Sequence, residues 1–203
     1  MAAPRKSWVL ASLAALALCP AWAAAAQDPL QDAAILHGQA FANAQGNISV
    51  NAVAGANNQQ ANMAVIATGD RAAGRASLVQ LLGPGADDTG RLASAQIVGN
   101  AFANASGLIA VNVAAGADNQ QGNLAVISLA LGGEVVSDLV LSQSRASQQR
   151  PGGSVDAPGT GDTLLSPGAF ENSSGIVQVS IIGGERNASS NLFALSVQDG
   201  AKP

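Results

Sequence analysis

The sequence predicts an all-β fold, a stacked β-arch or β-solenoid-like array of repeats with flexible linkers, after an N-terminal signal helix. Two observations support this prediction. Three segments of 29 residues repeat without gaps, and each contains two runs of small apolar residues around a bend rich in Gly and Asn. All 14 asparagines and all four phenylalanines fall inside these segments. Repeats of this size are typical of architectures in which each unit packs on its neighbours.

The chain begins with a segment that is typical of a secretory signal peptide. Residues 1–26 contain two basic residues, an apolar run and an Ala-rich end. The apolar run is too short for a stable membrane span. Cleavage is predicted after Ala23 or Ala26, and residues 27–38 form an N-terminal lead before the first repeat.

The composition of the chain after residue 26 excludes several kinds of chemistry. It contains no Cys, Trp or Tyr, and therefore no disulfide, thiol nucleophile or cysteine metal site. Its 13 acidic and seven basic side chains give a formal charge of −6. This balance argues against nucleic acid and anionic membrane surfaces as partners.

The repeats occupy residues 39–67, 100–128 and 168–196. The first two match at 19 of 29 positions, and the third matches the second at 11 of 29. Spacers at 68–99 and 129–167 separate the repeats, and a C-terminal tail follows at 197–203.

Each repeat is predicted to form two strands joined by a tight bend. Apolar residues alternate onto one face of the first strand, as in Ile48, Val50, Ala52 and Ala54. Gly and Asn tolerate the positive φ that tight bends require. The predicted core residues are Phe41, Phe102, Phe170, Val50, Val111 and Val179, and the predicted turn glycines are Gly46, Gly107, Gly175, Gly55, Gly116 and Gly184.

The amide side chains are explained by stacking. Amides at one repeat position, spaced by about 4.7–4.8 Å along a parallel stack, hydrogen-bond to their own copies and form a ladder. The best ladder candidates are Asn62/Asn123/Asn191 and Asn43/Asn104/Asn172. For Asn58/Asn119/Asn187, in the bend, both a turn role and a ladder role remain open. The other candidate self-assembly positions are Gln59, Gln60, Gln120 and Gln121.

The stretch "VNVAAGADNQQGNLAVIS" and its twin "VNAVAGANNQQANMAVIA" resemble the repeats of the Fap-type functional amyloids, the secreted fibre subunits of bacterial biofilms. The resemblance covers 87 residues. It implies a secreted structural protein that self-assembles into, or nucleates, extracellular fibres at the cell surface. The implied partners are other copies or related fibre subunits, and an outer-membrane export pore through which the chain leaves the periplasm.

The chain departs from the family pattern in two places. The main subunits carry a C-terminal Cys-x-x-Cys, which is absent here, and the third repeat has Ala188 and Ser189 in place of both glutamines. A minor, nucleating or divergent member is therefore an open alternative. A monomeric β-solenoid adhesin, and a periplasmic partner that caps fibre growth through the charged Glu185-Arg186 bend, are the rival hypotheses.

The spacers are predicted to lie outside the fibre core. Residues 71–82 suggest a short helix or strand, and residues 129–141 suggest two strands around Gly132-Gly133. The Ser/Gln/Gly/Pro-rich residues 142–162 are predicted to be a flexible linker.

No enzymatic site is predicted. His37 is the sole histidine, Asp87-Asp88 lies in a Gly-rich loop, and Asp118 and Glu185 lack the dense pattern of a calcium-binding repeat. We therefore predict no catalytic residue, metal or cofactor.

Overall fold

The computed structural model describes residues 31–83, 91–131, 135–145 and 160–199. The signal helix and the Asp87-Asp88 pair lie outside these residues. The described part is all-β, which confirms the predicted class, and it contains 11 strands. These are β1 (Gln31–Leu36), β2 (Gln45–Ala54), β3 (Gln59–Gly69), β4 (Ala72–Leu82), β5 (Leu92–Ile97), β6 (Ser106–Ala115), β7 (Gln120–Ala130), β8 (Val135–Arg145), β9 (Thr160–Leu165), β10 (Ser174–Gly183) and β11 (Ala188–Gln198).

The strands form four parallel sheets. Sheet 1 has the order β1-β5-β9, sheet 2 β2-β6-β10, sheet 3 β3-β7-β11 and sheet 4 β4-β8. One pass of the chain through the sheets makes a rung: β1–β4 form rung 1, β5–β8 rung 2 and β9–β11 rung 3. Equivalent repeat positions pair in register, so Val50 lies beside Val111, and Val111 beside Val179. The repeats therefore stack as the sequence predicted, with rung 2 in the middle.

Two apolar cores alternate with a layer of amides. The first core lies between sheets 1 and 2 and contains the fully buried Ile109, Val111 and Val113. The second lies between sheets 3 and 4, around Leu124 and Val126. The two faces of sheets 2 and 3 that meet each other carry amide side chains over part of their length, among them Asn112, Gln121 and Asn123.

Phe41, Phe102 and Phe170, which occupy the same position in the three repeats, form a column in the first core. The rings of Phe41 and Phe102 stack with centroids 5.0 Å apart, and those of Phe102 and Phe170 stack at 4.8 Å. These separations match the spacing between parallel strands, because each ring follows its own backbone. Stacking of this kind adds to the free energy of apolar burial.

The spacers contribute more structure than the sequence indicated. Residues 72–82 form β4, which selects the strand over the helix. The prediction of a flexible linker over residues 142–162 was wrong at both ends, since β8 continues to Arg145 and β9 begins at Thr160. The alternating Leu139 and Leu141 of β8 pack against the second core, and that contact extends the strand.

Sheet 4 is displaced by half a rung relative to sheet 3. The Gln80 amide of β4 donates to the carbonyls of Gln59 and Gln121, in rungs 1 and 2. The Gln143 amide of β8 donates to the Ser189 carbonyl in rung 3 and to Gln80 Oε1. Each strand of sheet 4 thus covers the groove between two neighbouring strands of sheet 3.

Candidate self-assembly surface

The amide layer between sheets 2 and 3 is centred on Asn123, which is fully buried. Its Nδ2 donates to Asn62 Oδ1 and to Asn112 Oδ1, each at 2.9 Å. Its Oδ1 accepts from Asn191 Nδ2 at 2.9 Å. The amides of Asn62, Asn123 and Asn191 therefore form a continuous ladder across the three rungs, and each buried amide is satisfied by its own repeat copies.

A second amide column runs beside this ladder and was missed as such from the sequence. Asn112 Nδ2 donates to Asn51 Oδ1 at 3.1 Å and to Asn62 Oδ1 at 2.9 Å. The equivalent residue of rung 3 is Ser180. The available signal was the alternation of Asn51 with the apolar core positions, which places it on the face opposite Val50.

The bend asparagines combine the two roles that the sequence left open. Asn119 donates its own backbone N–H to Asn58 Oδ1 at 3.0 Å, and its side chain donates to the Gly184 carbonyl at 2.8 Å. Asn187 N likewise donates to Asn119 Oδ1 at 3.0 Å. Each side chain holds the bend of the adjacent rung, so this triplet is both a turn element and a ladder.

The structure corrects the interpretation of Asn43, Asn104 and Asn172 as ladder residues. All three are exposed, and Asn104 is exposed even though it lies in the middle rung. Their φ angles are 62°, 56° and 55°, the left-handed conformation that Asn tolerates well. Asn recurs at this position in all three repeats because the turn between sheets 1 and 2 needs this backbone geometry.

The glutamines extend the amide layer towards sheet 4. Gln60 Nε2 donates to Gln121 Oε1 at 2.6 Å, and Gln120 Nε2 donates to Gln59 Oε1 at 3.3 Å. In rung 3, Gln121 is met by a hydroxyl instead, since its Nε2 donates to Ser180 Oγ at 2.9 Å. The hydroxyl of Ser180 in turn donates to Ser189 Oγ at 2.9 Å. Serines thus complete the network where the third repeat has lost its glutamines.

Two columns of glycine allow the backbones of successive rungs to approach. All six predicted turn glycines have positive φ, from 96° to 119°. A Cβ on Gly107 would lie 2.2 Å from the Gly46 carbonyl oxygen, and a Cβ on Gly116 would lie 2.0 Å from the Gly184 carbonyl oxygen. Neither position admits a side chain, because both the conformation and the space are restricted.

The two ends of the stack present unpaired strand edges. Within the described residues, β2 and β3 pair on one side with rung 2, and β10 and β11 pair with rung 2 from the other side. None of these four strands contains a charged residue or a proline. Charges and prolines are common devices that prevent edge-to-edge pairing, so these edges lack that protection.

One buried acceptor at the rung 1 end has no hydrogen-bond partner among the described residues. Gln60 Oε1 is inaccessible to solvent and accepts no hydrogen bond from the described residues. Its counterpart in rung 3 is Ser189, whose oxygen accepts from Ser180 and whose hydroxyl proton remains available for donation. The two ends are thus complementary at this position.

The described residues contain no cluster of three or more His, Cys, Asp or Glu side chains that could hold a metal ion. Asp118 lies in the bend, where its carboxylate accepts a hydrogen bond from Asn57 Nδ2 at 2.5 Å. The described part also has no helix of the length and hydrophobicity needed to cross a bilayer.

These features define a class of protein: parallel, in-register β-repeats stabilised by amide ladders and stacked rings, with open ends. A family comparison agrees with this class. The chain belongs to the functional amyloid protein FapB/FapC family, whose model matches residues 20–198. This is a family of structural amyloid proteins rather than enzymes. No solved structure matches the chain.

Proposed function

We propose that the chain is a secreted subunit that builds or nucleates biofilm fibres by stacking rung 3 of one copy on rung 1 of the next. The observation that carries this proposal is the shared register. β10 pairs with β6 in the same register as β6 pairs with β2. The free edge of β10 is therefore equivalent to the edge of β6 that receives β10, and β2 of an incoming copy can take on β10 the place that β10 takes on β6. In sheet 1 and in sheet 3 as well, the strand of rung 3 pairs with the strand of rung 2 in the register in which rung 2 pairs with rung 1.

The side chains support the same junction. Asn191 would continue the ladder to Asn62 of the next copy, and Phe170 would stack on its Phe41. Ser189 would donate to Gln60 Oε1, which has no partner among the described residues of a single chain. Each of these contacts repeats, or substitutes for, one that already exists between rungs of a single chain.

The uncharged end strands of sheets 2 and 3 favour a fibre subunit over a capping partner. The Glu185-Arg186 pair of the third repeat lies in the bend between β10 and β11 and leaves both strand edges free of charge. A cap needs a blocked edge, and the described rung 3 has open ones.

Secretion is the second part of the proposal. Residues 1–26 would direct export to the periplasm and be removed, and an outer-membrane pore would carry the remaining chain to the cell surface. N-terminal sequencing of the extracellular protein should begin at Ala24 or Gln27. A sequence beginning at Met1 or Ala2 would contradict this route.

The first experiment is to incubate the purified chain from Gln27 and to follow thioflavin fluorescence, electron micrographs and fibre diffraction. Fibres with reflections near 4.7–4.8 Å are expected, because the strands lie across the stacking axis. A chain that stays monomeric at every concentration would favour the adhesin hypothesis.

Two glycine variants test the proposed junction directly. The Cβ of Gly46→Ala meets nothing within 4 Å in the single chain, and the Cβ of Gly184→Ala meets only ordinary contacts at 3.7 Å and beyond. In the stack, each Cβ would collide with a glycine carbonyl of the adjacent copy, as a Cβ on Gly107 or Gly116 would within the chain. Gly46→Ala therefore blocks the rung 1 end, and Gly184→Ala blocks the rung 3 end.

Each variant alone should form no fibres, since every junction needs both ends. An equal mixture should form heterodimers, because the free rung 3 of Gly46→Ala fits the free rung 1 of Gly184→Ala. The dimer also serves as the folding control, since both substitutions strain a residue with positive φ. Fibres from either variant alone would show that the junction is elsewhere.

A further inference from the structure

Among the described residues, sheet 4 contains fewer strands than sheet 3, the sheet that it covers. The described residues supply three strands to each of sheets 1, 2 and 3, but two strands to sheet 4. Because β4 and β8 cover the two grooves between the three strands of sheet 3, both grooves within one chain are filled. A third groove arises wherever β11 meets β3 of the next copy.

Within the described residues, a stack of copies leaves this third groove uncovered. Every added chain creates three grooves on sheet 3, and its described residues bring two strands of sheet 4 to cover them. The apolar residue next to the groove is already exposed in the single chain. Leu192 is 51% exposed, whereas its counterpart Leu124 in the middle rung is 0% exposed.

We propose that the groove at each junction binds an extended strand from a chain outside the stack. This inference rests on the proposed stacking and goes beyond it, because it assigns a partner to the junction. The strand would lie between β8 of one copy and β4 of the next and pair with the free edges of both. Addition of a strand to an open sheet edge is an established mode of peptide recognition.

The existing contacts of sheet 4 define the chemistry of the partner strand. Its inward positions follow the columns of β4 and β8, which are Gly74 beside Ser137, Ala76 beside Leu139, Leu78 beside Leu141 and Gln80 beside Gln143. The partner therefore needs a small residue, two apolar residues and a glutamine at alternate positions, in parallel orientation.

Two polar columns reach the groove and continue the established interface between sheets 3 and 4. Ser196 Oγ donates to Ser137 Oγ at 2.8 Å, and Ser137 Oγ donates to Ser128 Oγ at 3.0 Å. Gln143 donates to Gln80 through its Nε2, which leaves its Oε1 as the acceptor for the next amide. A glutamine on the partner strand would extend this ladder by one step.

A synthetic peptide with the sequence of β4, AAGRASLVQLL, is a suitable probe, since this strand already pairs in parallel with β8. Labelled peptide is titrated onto preformed fibres of the full chain, and bound peptide is counted after sedimentation. We expect saturation at one peptide per chain and slower release of chains from diluted fibres, because each strand bridges two copies. A peptide with Glu at its seventh position, the place of Leu78, should not bind.

Two chain variants locate the site. Leu192→Ser should weaken peptide binding at least tenfold. Val197→Ser should change binding less than twofold, because Val197 lies on the opposite face of the same strand although it is similarly exposed, at 46%. Equal effects of the two variants would overturn the assignment.

The remaining outcomes also decide the question. Binding at far less than one peptide per chain would mean that the peptide adds only to the outermost edges of sheet 4, and the junction groove would then be refuted. Fibres that bind no peptide would refute the partner strand and leave the stacking intact. Failure to form fibres at all would refute the stacking, and the groove with it.

Discussion

Substitution of Asn123 by Leu tests the amide ladder at its best-connected position. The change keeps a side chain of similar size but removes a donor that serves Asn62 and Asn112 and an acceptor for Asn191. Asn62 Oδ1 would keep its bond from Asn112, and Asn191 Nδ2 would keep its bond to the Val179 carbonyl. Asn112 Oδ1, which is fully buried, would lose the one donor that it has among the described residues.

The expected loss of stability follows from the hydrogen bonds that are lost and those that remain. A fully orphaned buried acceptor costs about 1–3 kcal/mol, and each weakened neighbour adds a smaller amount. The added methyl groups of Leu return part of the loss through apolar burial. A net cost of about 3 kcal/mol corresponds to a factor of roughly a hundred in an equilibrium constant, since 1.4 kcal/mol is tenfold.

The assay is the unfolding of assembled material by urea. We expect the free energy of unfolding to fall by about 3 kcal/mol for Asn123→Leu, which is the cost derived above. Asn47→Leu is the matched control. Asn47 is an exposed strand residue without a side-chain hydrogen bond in the described part, and its counterparts are Leu108 and Ile176. Equal urea midpoints for the two variants would refute the ladder as a stabilising element.

Two further substitutions probe the first core and its border. Phe102→Ala should destabilise the soluble, unassembled chain against urea by about 3–5 kcal/mol, and Phe41→Ala by less, because within one chain Phe102 is fully buried between two rings whereas Phe41 stacks on one. Equal urea midpoints would contradict the stacked column. Asp32→Asn should cost about 3 kcal/mol, since the Asp32 carboxylate meets the Arg91 guanidinium at 2.9 Å with both side chains largely buried. Asp138→Asn, in an exposed ion pair, should cost less than about 1 kcal/mol in the same urea assay.

The repeats could be placed from the sequence because one rule governs them. Copies that stack in register bring identical positions together, so the alignment of the repeats is also the map of their contacts. Asn62 and Asn123 are 61 residues apart and hydrogen-bonded, and that contact follows from the repeat alone.

The sequence did not separate the two kinds of repeated asparagine. Asn43 and Asn62 both recur in every copy, but Asn43 recurs because a turn needs positive φ, and Asn62 because a buried amide needs a partner. The distinguishing feature is the surrounding pattern. Asn62 lies within an alternating strand, whereas Asn43 lies between Phe41 and Gly46, where the chain turns from sheet 1 to sheet 2.

Sheet 4 could not be predicted from the repeats because its strands lie outside them. β4 and β8 share few identical residues, and what they share is the alternation of small, apolar and glutamine positions. Gln143 therefore seemed to begin a flexible linker, although its amide bonds to Gln80 and to the Ser189 carbonyl. A segment that contacts one sheet through alternate side chains leaves a weaker signal than a repeat that is copied residue by residue.

The middle rung shows why assembly should be favourable for this chain. Asn123 and Val111 are fully buried there, whereas Asn191 and Val179, their counterparts in rung 3, keep part of their surface accessible. Rungs 2 and 3 have the same residue types at these positions, so the difference in burial comes from the number of neighbouring rungs. A rung buries its amides and apolar residues completely when it has a rung on each side. Addition of a second copy would convert both end rungs at the junction into middle rungs, and the free energy that stabilises rung 2 within one chain would then act between chains.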